Sequence, residues 1–188
     1  MSGAVAGPDG RLRCPWALSA PEYADYHDLE WGRPLDTDQA MFERLSLEAF
    51  QSGLSWLVIL RKRDGFRKAF DDFDIATVAG YGAADVERLL ADAGIVRNRA
   101  KIEASIGNAQ AALTLDGGLL KHVAGFAPRG KRKPPRTVDD VPAETPESQA
   151  LAKDLRKRGF RFVGPTTLYA LFQATGLVND HLADCSAR

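Results

Sequence analysis

The residues best suited to metal chemistry come in two pairs: Cys14 with His27 near one end, and His181 with Cys185 near the other. The 188-residue chain has only two cysteines and three histidines, so both cysteines have a histidine partner nearby in sequence. A helix through the last twelve residues, LVNDHLADCSAR, would put His181 and Cys185 at i, i+4 on one face. Cys₂His₂ is a closed tetrahedral donor set of the kind that holds a structural zinc. Two other readings stay open at this point, unrelated residues or buried free thiols, because pairs separated by most of the chain match no local zinc-finger pattern. The N-terminus, MSGAVAGPDGRLR, lacks a signal-peptide core, so a cytoplasmic setting is expected and a disulfide is disfavoured.

A second group is aromatic. Trp16, Tyr23, Tyr26, Trp31 and Trp56 include all three tryptophans and half the tyrosines. Core packing is the usual reason for such a set. Glu48 argues for more, because its neighbours are Leu47, Ala49 and Phe50, and a carboxylate in apolar company either faces solvent or serves a site. A cavity lined by Trp and Tyr with one carboxylate would suit a flat, cationic heterocycle.

The third group is KRGFRFVGPTTLYALF, residues 157–172. A helix stopping at Gly159, a short turn and a restart at Gly164-Pro165 make a tight helical hairpin. Glycines let backbone N–H groups approach a phosphate, and the following helix offers its positive end. Gly159, Arg161, Gly164 and Thr166 are the candidate contacts, against the plain alternative of an ordinary αα-hairpin.

These groups need helices to position them, and the punctuation is helical nearly throughout. Ser19-Ala-Pro-Glu22 reads as a capping box opening a helix through Tyr23, Tyr26 and Trp31. Asp36 or Thr37 caps a helix with Met41, Phe42, Leu45 and Ala49 on one face. Ser55 can cap WLVILRKRDGFRKAF; further helices are expected over 85–93, over 98–115 with Ile102, Ile106, Ala109 and Leu113 on one face, from Thr145-Pro146 to Lys157, and from Pro165 to Gly176. No alternating strand of useful length and no repeat is present, so the fold class is all-α. Residues 1–11 are expected to form a flexible tail, 12–188 a single helical domain of two lobes, and about 125–145 a mobile basic loop.

Composition excludes some classes. No run of about 18 apolar residues exists, so no membrane span is expected. Lys plus Arg equals Asp plus Glu at 25 each, so net charge does not point to a polyanion partner. The distribution says more. Basic residues cluster in RKRDGFRK (61–68), PRGKRKPPR (128–136) and KDLRKRGFR (153–161), each of which could equally be a solvated face.

In chain order, CPWA (14–17), YHDLEWG (26–32), SLEAFQSGLSW (46–56), DAGIVRNRAKI (92–102), KRGFRFVG (157–164) and GLVNDH (176–181) resemble the DNA-3-methyladenine glycosylase I family over about residues 12–185. The resemblance implies a helix-hairpin-helix glycosylase fold and a base-excision enzyme that removes 3-methyladenine from alkylated double-stranded DNA, leaving an abasic site. It implies Cys14, His27, His181 and Cys185 as ligands of a structural zinc joining the two ends of the chain. It implies Glu48 as the acid recognising the base, Trp16, Tyr23, Tyr26 and Trp56 as the aromatic pocket, and Leu54 as a wedge entering the DNA stack beside Gly53.

One position departs from the wider superfamily. Where those glycosylases usually carry an aspartate in a V-D-T-H-like segment, this chain has V-N-D-H, with Asn179 in its place and Asp180 next to it. Adjacent helical positions point about 100° apart, which gives Asp180 little weight as a substitute. No lysine stands out as a Schiff-base nucleophile. A monofunctional, monomeric enzyme is therefore expected, the competing reading being a non-catalytic, zinc-containing module that binds damaged DNA.

Overall fold

The computed structural model describes residues 3–130 and 132–188. Residues 1 and 2 of the expected tail and residue 131 of the expected basic loop lie outside them. Among the described residues the fold is helical, in the order α1 (Pro21–Leu29), α2 (Asp38–Gln51), α3 (Trp56–Ala69), α4 (Ile75–Ala79), α5 (Ala83–Ala91), α6 (Arg99–Ala112), α7 (Gly118–Ala124), α8 (Pro146–Lys157) and α9 (Pro165–Ala174). None is long and apolar enough to cross a membrane.

Helix α2 is the centre of the fold. Thr37, not Asp36, caps it, its hydroxyl accepting from the Ala40 N–H at 3.1 Å. Met41, Phe42, Leu45 and Ala49 are buried as their spacing requires. The helix is covered almost all round, by α3, α6, α7 and α9, so that even Ser46 and Glu48 are buried. One contiguous apolar core runs from Met41 to Val178 and includes residues of α8 and α9 as well as α2 to α7.

Several local expectations need correction. The capping box at Ser19 does not form: the Ser19 hydroxyl donates to the Trp16 carbonyl at 2.7 Å, closing a 3₁₀ turn over Pro15–Leu18, and Ala20 takes the cap position of α1. That helix ends at Leu29, so Trp31 lies beyond it. Helix α6 ends at Ala112, leaving Leu113 60% exposed, and Ala112 and Leu115 take its place in the core. The short helices α4 and α7 had no cue strong enough to announce them. The stretch expected as an unpatterned tail carries a two-residue strand, β1 (Val5–Ala6), paired antiparallel with β2 (Leu12–Arg13). The tight turn between them brings Asp9 to Arg13, whose guanidinium donates to its carboxylate at 2.7 and 2.6 Å.

The largest correction concerns the C-terminus. No helix is assigned after Ala174, so His181 and Cys185 do not share a helix face. Tertiary contacts hold the segment instead. Gly176, at φ 71°, crosses the loop after α1 so closely that a Cβ there would sit 2.6 Å from the Gly32 carbonyl oxygen. The Gly32 N–H completes the crossing by donating to the Ala174 carbonyl at 3.2 Å.

Candidate active site

The two ends of the chain meet. Cys14, His27, His181 and Cys185 are all buried, and their donor atoms lie within 4.8 Å of one another. His181 Nδ1 is 3.1 Å from His27 Nε2, and Cys185 Sγ lies 3.4 Å from His27 Nε2 and 3.5 Å from His181 Nδ1. A tetrahedral zinc with bonds of about 2.0–2.1 Å to nitrogen and about 2.3 Å to sulfur requires edges of roughly 3.3 Å between nitrogens and roughly 3.6 Å between nitrogen and sulfur. These three spacings fall within a few tenths of an ångström of those figures, and Cys14 Sγ completes the set within 4.8 Å of the others.

The surroundings orient the rings in the same sense. His27 Nδ1 faces Asp28 Oδ1 at 2.8 Å, and Asp28 is itself held by Arg13 at 2.9 Å, so Nε2 is the nitrogen left for the cluster. His181 Nε2 faces the Trp31 carbonyl at 3.2 Å, which leaves Nδ1. A histidine whose second nitrogen is fixed by a carboxylate or carbonyl is the usual outer shell of a metal ligand. The Leu182 N–H donates to Cys14 Sγ at 3.4 Å. Burial pushes the Cys14 thiol up to about 12 and, with His27 beside it, drops the His181 imidazole to about 4. Such donors are neutral among themselves, and a divalent cation would draw the thiols into their ionised form.

Beside this cluster lies a cavity of about 460 Å³, and all five residues expected to bind a base line it: Trp16, Tyr23, Tyr26, Glu48 and Trp56. Trp16 comes from the 3₁₀ turn, the tyrosines from α1, Glu48 from α2 and Trp56 from the first turn of α3. The rings brace one another, Trp16 edge-on to Tyr23 at 5.6 Å and Tyr26 tilted on Trp56 at 5.5 Å. Cys14 and Leu182 also line the cavity, so the cluster supports its wall.

Glu48 is 5% exposed and receives no hydrogen bond from any described residue. Burial therefore raises its carboxyl from 4.5 to about 7, against a smaller opposing pull from Arg44. A buried acid without partners, facing a cavity, is poised to accept donors from a ligand. Trp56 Nε1 is likewise buried without a partner.

One charged residue of the site, Arg44, escaped sequence reasoning, and another, Asp180, received too little weight. Arg44, one turn before Glu48 on α2, donates to the Tyr26 hydroxyl at 2.8 Å and lies 5.3 and 5.4 Å from the Tyr26 and Trp56 ring centres. An Arg and a Glu four apart on one helix, with the Glu flanked by apolar residues, was the available signal. For Asp180, the helical geometry that gave it little weight does not hold. Asn179 is exposed, whereas Asp180 is 5% exposed and lines the cavity. Its Oδ2 accepts from the Tyr169 hydroxyl at 2.5 Å and from Gln173 Nε2 at 3.0 Å. Ser19, Gln51, Gln173 and Trp31 complete the polar and aromatic lining.

The expected DNA contacts lie apart from the cavity lining and are exposed or partly so. Gly53 adopts φ 79° in the turn after α2, which presents Leu54 at 41% exposure. Lys101, buried on α6, donates from Nζ to the Phe50 and Ser52 carbonyls at 2.8 and 2.5 Å and so fixes the base of that turn. In the hairpin between α8 and α9, Gly159 takes φ 93°, and Arg161 and Thr166 face solvent. The Asn108 amide holds Arg161 by both backbone groups, accepting from its N–H at 2.8 Å and donating to its carbonyl at 3.1 Å. Gly164, at φ −72°, is not required by conformation, and a Cβ there would have only ordinary contacts.

A sequence profile described as Methyladenine glycosylase matches residues 16–188. DNA-3-methyladenine glycosylase 1 of Escherichia coli (strain K12) is 44% identical over 177 residues, covering 92% of this chain and 95% of its own. DNA-3-methyladenine glycosylase of Haemophilus influenzae is 41% identical over 181 residues, covering 94% and 97%. Among solved structures, a crystal structure of 3-methyladenine DNA glycosylase I matches with a TM-score of 0.88 at 43% identity, over 93% of this chain and 98% of that one. The Staphylococcus aureus 3-methyladenine DNA glycosylase I, solved to explain 3-methyladenine recognition, gives 0.87 at 36% identity over 93% and 95%. With its aromatic cavity and buried acid framed by the same fold as these glycosylases, the chain belongs to the methyladenine glycosylase family.

Proposed function

We propose that this protein is a monofunctional DNA glycosylase that hydrolyses the N-glycosidic bond of 3-methyladenine in alkylated double-stranded DNA and leaves an abasic site without cutting the strand. The observation that carries this reading is Glu48, a buried acid with no internal hydrogen bond in the wall of an aromatic cavity, within a chain of the methyladenine glycosylase family.

A base in a duplex is out of reach, so the nucleotide must be flipped into a pocket. Leu54, exposed at the tip of a turn whose base Lys101 fixes, is placed to fill the vacated stack. The hairpin with Gly159, Arg161, Gly164 and Thr166 would grip the backbone through its N–H groups and the positive end of α9.

The alkylated nucleotide is cationic before its bond breaks. Trp16, Tyr23, Tyr26 and Trp56 offer ring faces to that charge, and Glu48 accepts donors from the base edge in its carboxylate form. The cation that Glu48 needs as a partner arrives with the substrate. An uncharged adenine would leave the acid protonated or unpaired, which is a source of selectivity. Asp180 adds a second anionic group to the same wall and would favour positive charge developing on the sugar as the bond to the base lengthens. Because the methylated base is already a good leaving group, no strong general acid is required.

Cys14, His27, His181 and Cys185 would hold a structural zinc. With all four positions taken by protein ligands, such an ion would contribute stability, tying the C-terminal segment to the 3₁₀ turn of Trp16 and to α1.

Replacing Glu48 by Gln tests the catalytic reading. Release of 3-methyladenine from methylated DNA, followed by chromatography, should fall by orders of magnitude while binding to an abasic duplex persists. Unchanged release would remove Glu48 from the mechanism, and wild-type protein that binds but releases nothing would favour the non-catalytic module.

A further inference from the structure

The structure separates the three basic clusters of the sequence. On α3 most of the charges are already engaged: Arg61 donates to Glu22 at 2.7 Å, Arg63 to Glu30 at 2.9 Å and Arg67 to Glu43 at 2.9 Å, while Lys62 Nζ donates to the Ala93 carbonyl at 2.7 Å, which leaves Lys68 alone exposed without a partner among the described residues of that run. In the strap 132–136 the opposite holds. Neither Lys133 nor Arg136 makes a side-chain hydrogen bond or ion pair with a described residue, and both are exposed.

These two cations and Arg132 line a second cavity of about 660 Å³, which shares Asp180 with the aromatic cavity. The strap is held in place at several points. Arg132 Nη1 donates to the Tyr169 hydroxyl at 3.0 Å and lies 3.7 Å from Asp180 Oδ1. The Pro135 carbonyl accepts from the Ala183 N–H at 2.8 Å, and Pro134 and Pro135 restrict the backbone between them. The lining sets three cations, Arg132, Lys133 and Arg136, against two acids, Asp140 and Asp180, so a net positive charge remains. Asp140 Oδ2 is engaged by the N–H groups of Arg136 and Thr137 at 3.0 and 2.8 Å, and Asp180 by Tyr169 and Gln173. With Arg132 paired to Asp180, Lys133 and Arg136 are the two cations on this preorganised strap left to meet an anion with several oxygens.

Resting on the glycosylase reading, we propose that this second cavity is a phosphate-binding subsite for the DNA strand that carries the flipped nucleotide. A nucleotide whose base occupies the aromatic cavity keeps its sugar and flanking phosphates covalently attached, so those phosphates must come to rest beside the cavity mouth. A basic cavity sharing a wall residue with the base cavity meets that requirement. The basic face of α3, its three arginines paired with glutamates, does not.

The test is the double substitution Lys133→Gln/Arg136→Gln, which touches neither the aromatic cavity nor the Cys/His cluster. The affinity for a duplex containing a tetrahydrofuran abasic analogue is measured over a range of salt concentrations. The slope of log K against log salt should become shallower by about 0.9 for each phosphate that the protein no longer neutralises. The affinity for free 3-methyladenine should stay at the wild-type value, which also reports an intact fold. The single Lys133→Gln variant, expected to give a smaller change of the same sign, serves if the double variant folds poorly. A salt slope equal to wild type in either folded variant overturns the proposal. Base release by wild-type protein from methylated DNA is followed in parallel: its absence would sink the glycosylase reading, whereas its presence with an unchanged slope would sink only the phosphate subsite.

Discussion

Glu48→Gln should raise stability at neutral and alkaline pH while it removes excision. The buried carboxyl titrates at about 7 in the folded protein instead of 4.5. At about 1.4 kcal/mol per pH unit, that gap makes the ionised side chain about 3 kcal/mol costlier in the folded than in the unfolded state. The folded protein holds the Glu48 proton more tightly, so stability from this group is fully present below about pH 4.5 and is lost as pH rises through about 7. Glutamine never ionises and is spared the loss. For a chain of this length, 1 kcal/mol moves the melting temperature by about 2–4 °C, so the variant should gain roughly 6–12 °C on the wild type between pH 4.5 and pH 8. The measured quantity is the change in the difference between the two melting curves across that window, which cancels any pH-independent effect of the amide. Thermal unfolding of both proteins at several pH values provides it. Parallel stability–pH curves would show that Glu48 is not a destabilised buried acid, and its isolation would no longer mark it as a ligand-binding group. The same linkage predicts that excision by the wild type declines as pH falls below about 7, because the carboxylate is the competent form.

Cys185→Ser should lose bound zinc and at least about 2 kcal/mol of stability, and a chelator should bring the wild type down towards the variant; metal analysis with thermal melting checks both, and equal zinc in the two proteins would refute the ligand assignment. Leu54→Ala should cut excision from duplex DNA about tenfold, since removing most of a buried leucine costs roughly 1.4 kcal/mol or more, yet leave free-base affinity unchanged; a parallel loss of both would mean that Leu54 supports the pocket instead. Gly176→Ala should destabilise by about 2–4 kcal/mol, through left-handed strain and overlap with the Gly32 carbonyl, and denaturant unfolding reads this directly.

The longer helices, the Cys/His cluster and the residues that line the cavity were legible in the sequence because each leaves a local mark. Thr37, Asn98 and Thr145 cap their helices by hydrogen bonds to residues three positions on, and Met41, Phe42, Leu45 and Ala49 follow the period of a buried face. Glu48 stood out because its neighbours are apolar, and the two Cys/His pairs because such residues are scarce. What the sequence could not decide was everything set by contacts between distant segments. His181 and Cys185 meet Cys14 and His27 without a shared helix, because the crossing at Gly32 and Gly176 brings the chain ends together. Asp180 rather than Asn179 faces the cavity because Tyr169 and Gln173 on α9 engage its carboxylate. Of three similar basic runs, glutamates far away in sequence pair the three arginines of one, while Lys133 and Arg136 stay free. Local pattern determines which residues can do chemistry, since propensity and periodicity act over a few positions. Which of them do it together depends on long-range packing, where charge pairing and burial are decided.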